Sequence, residues 1–115
     1  MKVIIAGHKD INDIKLIDKI IKGFDFNISK IISAGLTDFD KIVEIWALKN
    51  KVSCEVVSVN WDMHGKIARY VQKETMTKLA EAIIIIKNKK DNDKEVNNLI
   101  NVSKRNNLKI FIKEI

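Results

Sequence analysis

The chain has 115 residues, which is long enough for one layered core and too short for two, so we predict a single domain over residues 1–115. Hydrophobic residues make up 46% and charged residues 31%, with no Pro-rich or Gly-rich tract, which argues against a disordered or fibrous protein. The formal net charge is +6, and residues 87–115 hold eight Lys or Arg against four Asp or Glu. This excess fits either a solvated lysine-rich face or an anionic partner.

Strands and helices are predicted to alternate along the chain. Short β-branched runs predict strands at residues 2–7, 30–33, 55–59, 82–86 and 108–112. Apolar residues at helical spacing predict helices at about 12–23, 38–50 and 67–80, and a fourth that begins near residue 93. In the third helix Ile67, Val71, Met76 and Leu79 are expected to face the core.

Ile83 to Ile86 are four consecutive isoleucines without polar alternation, which is typical of a central parallel strand covered on both faces. We therefore predict an α/β fold, a Rossmann-like three-layer sandwich of about five mostly parallel strands in the order 3-2-1-4-5. Right-handed crossovers would place every strand-to-helix loop at the carboxyl edge of this sheet, where ligands of such folds bind. No segment has membrane-spanning length and the first residues lack a signal-peptide pattern, so a cytoplasmic protein is expected.

Three of the four glycines, Gly7, Gly35 and Gly65, fall in loops at this predicted edge. Glycine lets backbone N–H groups approach a phosphate at the start of the following helix. Tight turns would need the same glycines without any ligand, and the sequence leaves both interpretations open.

Two cations, Lys66 and Arg69, are predicted in the first turn of the third helix, where the helix dipole disfavours positive charge. An anionic ligand would offset them, together with Lys9 and His64 from neighbouring loops. A carboxylate such as Asp62 or Asp10 would serve equally well.

No pattern for metal binding or covalent catalysis is found. His8 and His64 are the only histidines, and no cysteine pair accompanies them, so we predict neither a metal nor a cofactor. Ser33 ends a predicted strand without a nucleophile-elbow motif. Trp61 lies in a predicted loop from residue 60 to 65, where it would either stack on a base or cover the sheet edge.

Three sequence motifs carry a family resemblance. They are IIAGHKDI, with Gly7 and Asp10; SAGLTDFD, with Ser33, Gly35 and Asp40; and WDMHGK, followed by Met76 ten residues after its lysine. Together they resemble the YspA-type, cpYpsA-related branch of the SLOG superfamily. The resemblance implies a Rossmann-like fold and a pocket for nucleotides or nucleotide-derived ligands, and some superfamily members cleave the bond between base and ribose-phosphate.

Several positions depart from the family pattern. Ala34 and Asp38 replace motif glycines, and Gln72 and Lys73 replace an Arg-Asn pair. The Gly-Thr of the loop after the fourth strand is replaced by KNKKDND. Asp38 would repel a phosphate if it caps the second helix, or turn outward if Thr37 is the cap.

We therefore expect a binding module that senses or sequesters a nucleotide-type molecule without strong catalysis. The expected ligand-contacting residues are Gly7, His8, Lys9, Asp10, Ser33, Gly35, Thr37, Trp61, His64, Gly65, Lys66 and Arg69. One alternative is a nucleotide N-glycosidic hydrolase, for which Asp40 is the candidate catalytic residue. Another is an interaction protein that binds a protein partner or a second copy of itself, with nucleic acid ranked lower and no membrane partner.

Overall fold

The computed structural model describes residues 1–89 and 93–115 and contains a five-stranded, all-parallel sheet. The strands are β1 (Lys2–Gly7), β2 (Lys30–Ser33), β3 (Ser53–Val56), β4 (Ala82–Lys87) and β5 (Lys109–Glu114). Their order is β3-β2-β1-β4-β5. The predicted Rossmann-like α/β fold and the strand order 3-2-1-4-5 are thus confirmed.

Helices cover both faces of the sheet. They are α1 (Ile14–Lys22), α2 (Asp38–Lys49), the four-residue α3 (Trp61–His64), α4 (Ala68–Leu79) and α5 (Lys94–Arg105), with a 3-10 turn at Gly65–Ile67. One apolar cluster joins the sheet to α1 and α2, and a second joins its other face to α4 and α5. None of the helices in the described ranges is long and apolar enough to cross a bilayer.

Strand β4 contributes to both clusters because successive side chains of a strand point to opposite faces. Ile84 and Ile86 pack toward α1 and α2, whereas Ile83 and Ile85 pack toward α4 and α5. All four are fully buried. Burial of β4 on both faces therefore explains the run of four isoleucines, as predicted.

The structure corrects the predicted bounds of β3 and the predicted loop at 60–65, and it shifts β5 from 108–112 to Lys109–Glu114. β3 occupies Ser53–Val56 rather than 55–59, since it pairs with the four residues of β2 and the chain leaves the ladder after Val56. The predicted loop at 60–65 contains α3, because the Asn60 side chain accepts a hydrogen bond from the Met63 N–H at 3.0 Å and caps a helical turn.

The strand order reverses between β1 and β4, whose successors along the chain lie on opposite sides. Gly7 pairs with Ile86 at the carboxyl ends of these two strands. After β1 the chain continues to one face of the sheet, and after β4 it continues to the other. This divergence opens a crevice at the carboxyl edge.

Candidate functional site

A cavity of about 380 Å³ lies at the carboxyl edge of the sheet, on the face covered by α4 and α5. This volume falls within the range of about 300–1,000 Å³ that is usual for small-molecule sites. The lining residues come from the ends of β1 and β2, from α2, α4 and α5, and from the loops that precede them. They are Ala6, Gly7, His8, Lys9, Ala34, Leu36, Thr37, Asp40, Arg69, Gln72, Lys73, Met76, Asp93, Glu95, Val96 and Leu99.

The cavity combines an apolar surface with charged walls. Its small and aliphatic lining residues are Ala6, Ala34, Leu36, Met76, Val96 and Leu99. Without counting His8, its formal charges balance. The cations are Lys9, Arg69 and Lys73, and the carboxylates are Asp40, Asp93 and Glu95. Such a surface suits a ligand that has an apolar or aromatic body and polar groups of both kinds.

The loop after β1 contributes His8 to the wall. The backbone N–H of Asp10 donates to His8 Nδ1 at 3.3 Å, and Asp10 Oδ2 lies 3.3 Å from the same nitrogen. His8 Nε2 lies 3.9 Å from Asp93 Oδ2. The imidazole therefore lies between the Asp10 and Asp93 side chains, of which Asp10 is largely exposed, while Lys9 lines the cavity.

Gly7 is explained by packing at this position. A Cβ atom there would lie 2.7 Å from the Phe39 ring and 2.9 Å from the Ile86 carbonyl oxygen. The glycine thus lets the aromatic ring of α2 close over the end of β1. It also lines the cavity.

The turn after β2 is built from hydrogen bonds within the protein. Ser33 is buried, and its hydroxyl accepts from the Gly35 N–H at 3.2 Å and donates to Glu44 Oε2 at 3.4 Å. Gly35 has a φ of +66°, and a Cβ there would lie 2.7 Å from the Val56 side chain. Neither residue lines the cavity, whereas Ala34 between them does.

Helix α2 begins with a capping box that involves the candidate catalytic residue. Thr37 Oγ1 accepts from the Asp40 N–H at 3.2 Å, and Asp40 Oδ2 accepts from the N–H groups of Leu36 and Thr37 at 3.0 and 3.1 Å. The carboxylate of Asp40 therefore takes the backbone donors that an anion would otherwise find at this helix start. Asp38 is exposed at the first helical position, so of its two predicted arrangements the outward one is observed.

Seven of the expected residues lie outside the cavity lining: Asp10, Ser33 and Gly35, described above, and four residues of the segment 61–66. Trp61 is 56% exposed on α3, His64 ends that helix, and Gly65 follows it with a φ of +55°. Lys66 is exposed in the 3-10 turn. The structure therefore brings Gly7, His8, Lys9, Thr37, Arg69 and Asp40 together, but not this segment.

Helix α4 faces the site with a stripe that the sequence prediction assigned differently. Ile67 precedes the helix and is exposed, whereas Gln72 and Lys73 are buried together with Met76. The side-chain amide of Gln72 donates to the carbonyl oxygens of Ala34 at 3.0 Å and Val57 at 2.7 Å, which ties α4 to the ends of β2 and β3. The spacing 69, 72, 73, 76 was the signal, but polar residues in it obscured the inward face.

The positive charge of Arg69 is offset by Glu95 and not by Asp62 or Asp10, the two carboxylates considered from the sequence. Arg69 Nη2 and Lys73 Nζ lie 2.6 and 2.8 Å from Glu95 Oε2, so one oxygen of α5 bridges two cations of α4. Glu95 and Asp93 are site residues that sequence reasoning missed. Asp93 is the last residue of the KNKKDND segment and Glu95 lies two residues after it, and only the packing of α5 brings Glu95 to α4.

Neither a metal centre nor a reactive thiol stands out. Within residues 1–89 and 93–115, no group of three or more His, Cys, Asp or Glu is arranged to hold a metal ion. Burial raises the pKa of the Cys54 thiol, and the nearby Glu44 carboxylate raises it further, which disfavours the thiolate.

Comparison with known protein families, curated proteins and solved structures gives no match for this chain.

Proposed function

We propose that this protein binds a nucleotide or nucleotide-derived ligand in the cavity at the carboxyl edge of its sheet. The observation that carries the proposal is a cavity of about 380 Å³ beside the β1–β4 switch point, with an apolar surface and three cations. In open α/β sheets ligands bind outside the carboxyl ends of the strands, at the point where the order reverses. The apolar surface would hold a base, and the charged walls would hold phosphate and hydroxyl groups.

Binding without turnover is the form that the geometry favours. The candidate catalytic residue Asp40 uses one oxygen to hold two backbone N–H groups at the start of α2. A carboxylate held in this way serves to fix the turn, and movement toward a ribose carbon would break the capping box. We therefore propose sensing or sequestration rather than N-glycosidic hydrolysis.

We also propose that the chain is a divergent relative of the SLOG superfamily. The support is the conjunction of the motif residues with the strand order β3-β2-β1-β4-β5. Gly7 and Asp40, which belong to two of the motifs, both line the cavity. The third motif, WDMHGK, lies outside it, which is a further departure from the family pattern.

Thermal melts with a panel of nucleoside mono-, di- and triphosphates, cyclic nucleotides and ADP-ribose test the proposed function. A ligand present at about a hundredfold its Kd should stabilise the protein by about 2.7 kcal/mol. In Ala34→Leu the larger side chain fills part of the cavity, so the stabilisation should be lost. Thr75→Leu adds a leucine on the exposed side of α4 and should leave it unchanged. No stabilisation by any compound, or equal stabilisation of Ala34→Leu, would refute the proposal.

A further inference from the structure

Arg69 and Lys73 form a pair of cations one helical turn apart on the cavity wall. Residues four apart on a helix lie side by side on the same face. Lys73 is only 8% exposed. A buried ammonium group is costly unless it is paired, so this lysine needs an anionic partner within the cavity.

The single carboxylate of Glu95 does not balance the charge of these two cations. Both cations bind the same atom, Glu95 Oε2, so two positive charges share one carboxylate. Arg69 Nε, on the guanidinium edge that also carries Nη2, is buried and has no hydrogen-bond partner among the described residues. The edge that can grip two oxygens of one anion is therefore only half used.

The two other carboxylates of the cavity are engaged elsewhere. Asp93 Oδ1 accepts from the N–H groups of Glu95 and Val96 at the start of α5, and its Oδ2 faces His8. Asp40 holds the turn before α2. Neither is bonded to Arg69 or Lys73 within the part of the chain that the structure describes.

We propose that Arg69 and Lys73 form a subsite for a phosphate group, and that Glu95 occupies this subsite until the ligand displaces it. The inference deepens the proposed function and rests on it for the remainder of the ligand. A phosphate monoester carries close to two negative charges at neutral pH and several acceptor oxygens. It can neutralise both cations and engage Nε and Nη2 together, which a single carboxylate oxygen does not.

Glu95 is able to leave the subsite at low cost. Its side chain is 55% exposed, so its carboxylate can turn into water without crossing the core. While it remains in place it competes with the ligand, and the apparent affinity falls by the fraction of molecules whose subsite is open. Glu95 therefore acts as an internal counter-ion that weakens phosphate binding and keeps Lys73 paired in the empty protein.

Titration with inorganic phosphate, followed by NMR of the backbone amides and of the Arg69 Nε–H, tests the subsite apart from the rest of the ligand. Glu95→Gln keeps the side-chain shape and removes the competing charge, so it should bind phosphate about tenfold more tightly than the wild type. Glu114→Gln makes the same charge change at an exposed position of β5 and should behave as the wild type. Equal phosphate affinity in all three proteins, or shifts confined to other residues, would overturn the inference.

A second comparison needs no Glu95 variant and guards against its misfolding. Adenosine 5′-monophosphate should bind the wild type more tightly than adenosine, and Lys73→Met, which keeps a buried chain of similar length, should abolish that difference. A difference that persists in Lys73→Met would also overturn the inference. If nucleotides bind but their affinity does not depend on Lys73, the inference fails and the proposed function stands. If Glu95→Gln binds phosphate more tightly but no nucleotide binds, the proposed function alone is refuted.

Discussion

Gly7 shows at the scale of a single residue how a motif glycine can serve the core. The Phe39 ring and the Ile86 carbonyl oxygen both lie within 3 Å of the place where its Cβ would be. The ring belongs to the buried cluster beneath α2, and the carbonyl belongs to β4, so neither can move freely.

Gly7→Ala should therefore destabilise the protein by about 1–3 kcal/mol, the usual cost of overpacking. Urea denaturation followed by circular dichroism measures the difference. Gly23→Ala is the matched control, because Gly23 has right-handed helical dihedrals and its nearest contacts are 3.3 and 3.5 Å away, so its stability should change much less. A Gly7→Ala protein as stable as the wild type would show that Phe39 has room to yield.

Thr37 and Asp38 stand next to each other at the start of α2 but have different surroundings. Thr37 is the N-cap and shares a reciprocal pair of hydrogen bonds with Asp40, whereas Asp38 is exposed. Thr37→Ala should cost about 1 kcal/mol because it removes the cap.

Asp38→Ala should lower the free energy of unfolding by only about 0.3–1 kcal/mol, the usual interaction of an exposed charge with a helix dipole. This loss should decrease with added salt, which screens the interaction. Urea denaturation at low and high ionic strength measures both variants. If Asp38→Ala were the more destabilising of the two, the assignment of Thr37 as the cap would be wrong.

At the scale of the elements, a polar cluster joins α4 to the C-terminal end of α5. Asn106 donates to Glu74 Oε2 at 3.1 Å and to Thr77 Oγ1 at 2.8 Å, and Arg105 donates to Glu74 and lies over the Tyr70 ring. The hydrogen bonds from Asn106 and then from Arg105 lower the pKa of the Glu74 carboxyl. Because these two helices flank the cavity, the cluster helps to hold its walls.

This cluster predicts a pH dependence of stability. A carboxyl whose pKa is lowered by folding stabilises the protein above its unfolded pKa, and the contribution is lost as the pH falls through the folded value. Glu74→Gln should therefore be less stable than the wild type at about pH 7, and the difference should shrink as the pH falls below about 4. Urea denaturation across this range measures it, with Glu114→Gln as an exposed control. A difference independent of pH would contradict the ionic role of Glu74.

A second carboxyl links α1 to α2. Trp46 Nε1 donates to Asp18 Oδ1 at 2.8 Å, and Lys22 Nζ lies 3.0 Å from the same oxygen. The hydrogen bond from Trp46, followed by that from Lys22, lowers the pKa of Asp18.

Trp46 fluorescence, recorded in a Trp61→Phe background, should report the protonation of Asp18. The transition should have its midpoint below the ordinary aspartate value of about 3.9, and Asp18→Asn should remove it. A midpoint at or above the ordinary value would mean that the indole does not stabilise the carboxylate.

At the scale of the whole molecule, the sheet is protected unequally. β4 lies between β1 and β5 and is covered on both faces, whereas β5 is an edge strand with Ile112 48% exposed. Ile84→Ala should cost about 2–5 kcal/mol because it leaves a cavity in a packed core.

Ile112→Ala should cost clearly less, since much of that side chain already contacts water. Urea denaturation of the two variants gives the comparison. Equal losses would imply that β5 is covered by another surface in solution.

Much of the fold follows from local pattern. β-branched runs separated by helical repeats define the alternation, and the isoleucines of β4 require cover on both faces whatever the neighbours are. The bounds of β1 and β2 and the carboxyl-edge position of their loops follow from the same signals. Gly7, Lys9 and Thr37 were accordingly identifiable as loop residues near a shared edge.

The tertiary structure alone decided which side chains meet in the cavity. Glu95 reaches Arg69 and Lys73 because α5 packs beside α4, a contact between residues more than twenty positions apart that no local period encodes. The orientation of α4, which buries Gln72 and leaves Ile67 exposed just before the helix, likewise depends on Gln72. Its side chain satisfies the backbone carbonyls of Ala34 and Val57, just beyond β2 and β3. Sequence therefore determined the elements and their edge, because these depend on neighbouring residues, whereas the pairing of charges depended on how distant elements pack.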